Sequence, residues 1–397
     1  MQYPILKVGV VGGGTMGRGI AELIAREDIP VMVKEVNEDL MQKTEFAIEE
    51  RFRGWYEKGK IDQRRLEQLI ELVDVTDKAE KLSDVSLLIE AVPENMKLKE
   101  KIFREFDSIL PPNIIIASNT SSLPISRLAE MTSREDKVVG MHFFNPPTRM
   151  PLVEIVRGEK TSEETLSIIE EFAKSTLRKK TIRVRDRPGF LVNCLLMPYL
   201  SEAVRGLEET YVSPKEIDKV AQKYGWPVGP FMLLDSIGID TAYSVAKFLG
   251  ESYPHRIPIS KFFETMITLG RLGDKTGTGF YSASFDVEPI ENILSKMCPQ
   301  RNHATPEEIF EKMMLGFLNE ATLAFQEKVA SKEDIELGAE AGIGCPQGGP
   351  LHIIDQMGIL NVITKSNLLE KKFGERFKAA GLLYKMHEAD KTFFASW

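Results

Sequence analysis

The run Gly12-Gly13-Gly14-Thr15-Met16-Gly17 follows directly on an apolar segment, Ile5 to Val11, and leads straight into a helix-period segment from Thr15 to Arg26. It meets the spacing G-x-G-x-x-G where that spacing has physical meaning, between a strand and a helix. Gly12 permits the tight turn, Gly14 lets a phosphate approach the backbone, and Gly17 lets helix and strand pack closely. The anion then sits at the helix N-terminus. The next strand-like segment ends at Glu35, 21 residues beyond Gly14. A carboxylate there accepts hydrogen bonds from a ribose and repels a 2′-phosphate, so the pattern selects NAD over NADP. Lys34 does not disturb this, because neighbouring strand residues point to opposite faces.

Through residue 187, short β-rich apolar runs alternate with longer amphipathic stretches, the pattern of a parallel sheet flanked by helices. Strands are expected at Ile5 to Val11, Pro30 to Glu35, Val85 to Ala91, Asn113 to Ser118, Lys137 to His142, Leu152 to Val156 and Thr181 to Val184. The segment Asn37 to Lys58 reads as a long amphipathic helix, an arm with one solvated face. After Arg187-Pro188-Gly189 the alternation stops, and helices are expected at Phe190 to Glu209, Pro214 to Lys223 and Pro230 to Leu249. An irregular stretch from Tyr281 to Pro289 separates these from a second helical block, roughly Glu307 to Trp397.

The two helical blocks repeat each other. Leu200-Ser-Glu-Ala203 parallels Leu318-Asn-Glu-Ala321, and Ser213-Pro-Lys-Glu-Ile-Asp218 parallels Ser331-Lys-Glu-Asp-Ile-Glu336, both at an offset of 118 residues. Pro227-x-Gly229 echoes Pro346-x-Gly348, and Asp235-x-x-Gly238 echoes Asp355-x-x-Gly358. Chance similarity between amphipathic helices does not easily yield so ordered a series. The fold class is therefore α/β: a Rossmann-type doubly wound parallel sheet (1–187) followed by two duplicated all-α domains (188–284 and 285–397), with the break near Ser282.

Lys and Arg number 51 against 59 Asp and Glu, a net charge of −8. No overall positive field draws nucleic acid or an anionic membrane, and neither is expected as a partner; an anionic substrate must be met locally. No apolar run is long enough to span a bilayer, and the first one ends at once in glycines, unlike a signal peptide. Cys194, Cys298 and Cys345 are scattered, without a C-x-x-C pair, which fits a reducing cytoplasm and argues against a disulfide framework or structural zinc. No metal is expected.

His142 ends a strand in Gly140-Met-His-Phe-Phe-Asn-Pro-Pro147, where ligands of open α/β sheets collect. Glu154 lies 12 residues on, in the next strand, and the Asn-Pro-Pro turn can bring its carboxylate to the imidazole. Such a couple fixes the tautomer and stabilises imidazolium, which suits a base that removes a hydroxyl proton as hydride departs. A histidine serving only the fold is an equally good reading of the spacing alone.

The segments VGVVGGGTMGRGIA, EAVPENMKLKEKIF, ASNTSSL, GMHFFNPPTRMPLVEIV, DRPGFLVNCLLMPYLSEA, GWPVGPFMLLD and KTGTGFY, in order from Val8 to Tyr281, resemble the L-3-hydroxyacyl-CoA dehydrogenase family. The duplicate, through Gly344 to Pro350 and Lys372-Phe-Gly-Glu-Arg-Phe377, resembles the second helical repeat of the dehydrogenase part of multifunctional fatty acid oxidation enzymes. The resemblance implies NAD-dependent, reversible oxidation of a 3-hydroxyacyl-CoA thioester by a monomer or homodimer. It gives His142 the catalytic role, Glu154 that of its partner, and Ser121 and Asn193 contacts to substrate. It assigns cofactor contacts to Glu94, Lys99, Asn119, Asn145 and Lys275, beside Gly12, Gly14, Thr15, Met16, Gly17 and Glu35. On the long helix the family has a serine and a lysine that meet coenzyme A. Lys58 aligns with the lysine, but Arg51 stands in place of the serine, so a guanidinium would meet the phosphates differently; a solvated helix face is an equally good reading of both.

Glu311 occupies the place in the second block that Asn193 has in the first, and no nucleotide-binding half precedes it, so that block is expected to be catalytically silent and to pack on the first. The basic run Arg178 to Arg187 reads as an edge-strand feature that aids solubility. His352 and Asp355 read as core or interface residues, and Cys194 as a buried thiol. The rival functions are a sugar-acid dehydrogenase with the same cofactor and a non-enzymatic NAD-binding protein.

Overall fold

The computed structural model describes residues 5–257, 259–282, 289–346 and 348–394. They form two compact units, Met1–Arg187 and Pro188–Trp397. The boundary expected between the helical copies, 284/285, lies outside the described residues.

The first unit is built on eight strands: β1 (Val8–Val11), β2 (Val31–Lys34), β3 (Val73–Thr76), β4 (Leu87–Glu90), β5 (Ile115–Ser118), β6 (Val138–Phe143), β7 (Leu152–Arg157) and β8 (Lys180–Arg185). Their order is β3-β2-β1-β4-β5-β6-β7-β8. All neighbours are parallel except β6 and β7. β1, β4 and β5 are buried at every residue, as strands covered on both faces must be, hence their unbroken apolar runs. The order reverses between β1 and β4, which places the ligand crevice of such a sheet at the strand ends where the glycine turn leaves β1. Strand β3 was absent from the expected set. It has four residues, lies at the sheet edge and exposes Asp74, too little alternation to stand out.

Six helices accompany the sheet: α1 (Thr15–Ala25), α2 (Glu38–Glu57), α3 (Gln63–Glu71), α4 (Met96–Ile109), α5 (Ile125–Ala129) and α6 (Glu163–Glu171). Asn37, Asp62, Asn95 and Ser162 cap α2, α3, α4 and α6 with side-chain acceptors. The carboxylate of Asp186 accepts from the N–H groups of Ile125 and Ser126 and so caps α5 from a distance. No side chain caps α1.

The second unit is helical: α7 (Val192–Glu209), α8 (Pro214–Lys223), α9 (Pro230–Ile237), α10 (Ile239–Ser252), α11 (Phe262–Thr268), α12 (Ile290–Met297), α13 (Pro306–Gln326), α14 (Lys332–Ile343), α15 (Gly349–Met357), α16 (Ile359–Phe373) and α17 (Gly381–Glu388). The single helix expected over Pro230 to Leu249 is two, because Gly238 takes φ +96°, a left-handed value that ends α9. Gly358 does the same between α15 and α16, at φ +83°.

Corresponding residues of the two blocks make corresponding contacts. Asp235 accepts from the N–H groups of Phe280 and Tyr281, and Asp355 from those of Phe393 and Phe394. Asp218 accepts from Phe231 N–H at the start of α9, and Glu336 from Leu351 N–H at the start of α15. Between the blocks the contacts are reciprocal. Arg376 reaches Glu202 (2.6 Å) and Glu209 (3.4 Å) on α7, while Arg256 reaches Glu320 (3.8 Å) and Glu327 on α13. A Cβ added at Gly344 would stand 2.7 Å from Pro227, and one added at Gly225 would stand 3.5 Å from Pro346. Such an exchange of partners is the mark of a two-fold contact, here within one chain. Burial drives the Glu202 carboxyl to titrate high, against the pull of Arg376. Arg376→Leu strands that carboxylate, so unfolding in urea should show a loss of about 3–5 kcal/mol. Adding Glu202→Gln should recover most of it; an unchanged midpoint for the single variant contradicts the bridge.

Candidate active site

The glycine turn is shaped for close approach. Gly12 has φ +98°, and a Cβ on Gly17 would lie 1.7 Å from the carbonyl oxygen of Gly12. At Gly14 an added Cβ would meet nothing within 4 Å, so the N-terminal turn of α1, with Thr15 exposed and Met16 half-buried, opens on empty space. An uncapped helix start with open space before it suits a diphosphate. Glu35 is buried, its Oε1 accepting from Gly13 N–H and from the Thr44 hydroxyl of α2, both at 2.9 Å. The middle glycine is therefore required too, since a Cβ on Gly13 would sit 2.4 Å from that oxygen. Thr44 and Gly13 escaped the motif, which encodes only the outer glycines.

His142 and Glu154 are direct cross-strand partners in the antiparallel β6–β7 pair. His142 Nδ1 lies 2.7 Å from Glu154 Oε2, with the histidine 6% exposed and the glutamate fully buried. The bond leaves Nε2 as the ring atom pointing away from the carboxylate. The ring of Phe144 lies 4.6 Å from the imidazole, tilted by 54°.

A buried charged group underlies the neighbouring strand ends. Glu90, at the end of β4, accepts from Lys99 Nζ (2.7 Å), Val92 N–H (2.7 Å) and Ser118 Oγ (2.5 Å). Lys99, 1% exposed, also donates to Val92 O (3.1 Å) and lies 3.4 Å from Glu94 Oε2. Glu94 Oε1 in turn gathers the Thr120 hydroxyl (2.6 Å) and the N–H groups of Ser121 (3.0 Å) and Ser122 (3.2 Å), with the Ser121 hydroxyl at 3.2 Å. Lys99 is thus spent inside the protein, holding Glu94 and, through it, Ser121. Asn119 Oδ1 accepts from Phe143 N–H at 2.9 Å and ties the end of β5 to the residue after His142.

Asn145 is exposed and precedes Pro146 through a cis peptide bond. Arg51 on α2 pairs with Glu22 of α1 at 3.4 Å, whereas Lys58 ends α2 exposed. In the second unit, Asn193 is half-buried in the first turn of α7 and Lys275 pairs with Asp240. Glu311 pairs with Lys365. The basic run is not uniformly a solvated edge: Lys179 is buried, and Arg183 pairs with Glu163 and Glu170. His352 bonds Glu336 at 2.8 Å and stacks on Phe394. Among the described residues no three His, Cys, Asp or Glu side chains gather as a metal set, and no helix is long and apolar enough to cross a membrane.

Residues 7–187 match the model of the 3-hydroxyacyl-CoA dehydrogenase NAD-binding domain, and residues 189–283 and 309–393 both match that of the 3-hydroxyacyl-CoA dehydrogenase C-terminal domain. The chain belongs to the 3-hydroxyacyl-CoA dehydrogenase family. It is 34% identical, over 99% of its length, to the fatty acid oxidation complex subunit alpha of Acinetobacter baylyi. It spans 56% of the length of that relative. Among solved structures, a 3-hydroxybutyryl-CoA dehydrogenase from Escherichia coli K12 is similar over 97% of this chain and 99% of its own, with TM-score 0.87 and 25% identity. An (S)-3-hydroxybutyryl-CoA dehydrogenase from Ralstonia eutropha is 36% identical, covering 71% of this chain and all of its own, with TM-score 0.66. The cofactor of this chain is NAD, as its match to the NAD-binding domain of the family requires, and the open glycine turn with Glu35 behind it fits that nucleotide.

Burial works to raise the Glu94 pKa, but Lys99, Thr120 and Ser121 outweigh it and the carboxyl titrates below its ordinary value. A carboxylate of this kind contributes stability above its unfolded pKa and loses it as pH falls through the folded one. Melting temperatures taken on acidification below pH 4.5 should therefore fall less steeply for Glu94→Gln than for the wild type. Equal slopes would show that Glu94 is not held by these partners.

Proposed function

We propose that the chain oxidises an L-3-hydroxyacyl-CoA thioester to the 3-oxoacyl-CoA, reversibly, with His142 as general acid and base. The observation that carries this reading is the 2.7 Å bond from Glu154 to Nδ1 of an imidazole at the end of a strand in a nucleotide-binding sheet. NAD, when bound, supplies the hydride acceptor for C3. His142 takes the hydroxyl proton at Nε2, and Glu154 fixes the tautomer and offsets the charge of the imidazolium. Ser121 and Asn193 hydrogen-bond the reacting oxygen and the thioester. Glu94, Asn119, Asn145 and Lys275 hold the cofactor together with the glycine turn, Lys99 acting through Glu94. With Arg51 paired to Glu22, Lys58 is the better placed of the two to meet coenzyme A phosphates. His142→Gln should lower turnover of acetoacetyl-CoA by NADH by about 10²- to 10⁴-fold and leave NADH affinity within about twofold. Wild-type protein that binds NADH yet turns over a sugar acid rather than the thioester would replace this reading.

We assign 188–284 and 285–397 to two copies of one helical domain, the second silent because Glu311, engaged by Lys365, stands where Asn193 does in the first. The reciprocal Arg256 and Arg376 bridges support a monomer in which the second copy does the work of a second subunit. Scattered cysteines favour the cytoplasm. A chain ended at Ser282 exposes the α7 face that α13 covers, so gel filtration should find it aggregated or dimeric. A soluble, fully active monomer contradicts the role given to the second copy.

A further inference from the structure

One buried cation takes no part in the chemistry above. Lys179 is 8% exposed, while its neighbour Arg178 reaches outward to Glu27. Among the described residues no carboxylate lies within 4.0 Å of its ammonium. The ammonium donates instead to two main-chain carbonyls, Pro147 O at 2.6 Å and Met150 O at 2.8 Å. A cation out of water without a counter-ion is costly, and burial, with Arg26 adding to it, moves the Lys179 pKa down. Such a group persists where something needs its protons.

The two carbonyls explain the need. They belong to segment 144–151, which joins β6 to β7 and contains Pro146, Pro147 and Pro151. Proline has no N–H, so the segment is short of donors for its own carbonyls. The N–H groups of Arg149 and Met150 both go to Pro146 O, at 3.0 Å. Lys179 supplies donors to Pro147 and Met150, and its own backbone is anchored, N–H to Ala173 O at 2.9 Å. The segment also lies against the nucleotide helix, where a Cβ added to Gly19 of α1 would stand 2.9 Å from Pro147 Cδ. Segment 144–151 thus contacts both α1 and Lys179. It carries Phe144, packed on the His142 ring, and Asn145.

We propose that Lys179 is a positioning residue for hydride transfer: by holding the carbonyls of Pro147 and Met150 it fixes segment 144–151, and with it Phe144 against His142 and Asn145 at the cofactor. The inference rests on the reaction proposed above. Lys179→Met keeps much of the side chain and removes its donors; Lys179→Arg keeps charge and donors. With NADH and acetoacetyl-CoA, Lys179→Met should lose about tenfold or more in kcat, with KM for the thioester changed less than about threefold. The isotope effect with NADH deuterated at the transferred hydrogen should rise. Amide exchange over 143–151 should quicken, NADH affinity read by fluorescence should weaken, and Lys179→Arg should recover part of kcat. Should Lys179→Met fail to fold, Lys179→Gln is measured in the same way. A lower melting temperature with wild-type kcat and isotope effect means a scaffold role and overturns the proposal, as does unchanged exchange over 143–151. If the wild type itself does not turn over the thioester, the reaction assignment fails, while exchange and NADH affinity still decide the role of Lys179.

Discussion

The site depends on one reversal of strand direction. Parallel neighbours need a long crossover between them, so residues 12 positions apart could not face each other across such a pair. Because β7 runs back along β6, His142 and Glu154 become opposite numbers in one register, both under cover, and bond at 2.7 Å. The rest of the local architecture answers to that reversal. The chain must turn within segment 144–151, the turn uses prolines, and the carbonyls left wanting are met by a lysine from the next strand's approach. Asn119 fastens the same strand end from the β5 side.

Much of this was legible in the residues. The apolar runs of β1, β4 and β5 announce strands covered on both faces, the glycine turn falls where its spacing requires, and the Asp235 and Asp355 echoes mark equivalent points in two helical copies. Buried charge was harder to read. Lys99 lies on the same stripe of α4 as Ile102, Phe103 and Phe106, so its place in the period pointed inward, while its charge argued for the surface. Nothing in the pattern separates Lys179 from its basic neighbours, because the reason for its burial lies in a segment about 30 residues earlier. Likewise Thr44 and Asp186 act on the glycine turn and on α5 through contacts set by the fold alone.

The helical copies show which features a duplication preserves. In the first, Tyr281 donates its phenol proton to Asp218; in the second, Phe394 has no hydroxyl, and His352 stacks on that ring and bonds Glu336 instead. The requirement kept is a donor for a buried carboxylate at a helix start, and the side chain that meets it has changed. The carboxyls of Asp218 and Glu336 are both pushed up by burial, which is why neither can be left without one.

Carrying both halves of a two-fold contact on one chain alters how it evolves. In an assembly of identical subunits every substitution at the seam is mirrored, so a change must be tolerated twice at once. Here Tyr199 faces Phe317, and Arg256 and Arg376 sit in unlike surroundings, each open to mutation alone. Symmetry survives in the backbone while the side chains drift apart, so each copy can specialise without forcing the same change on the other.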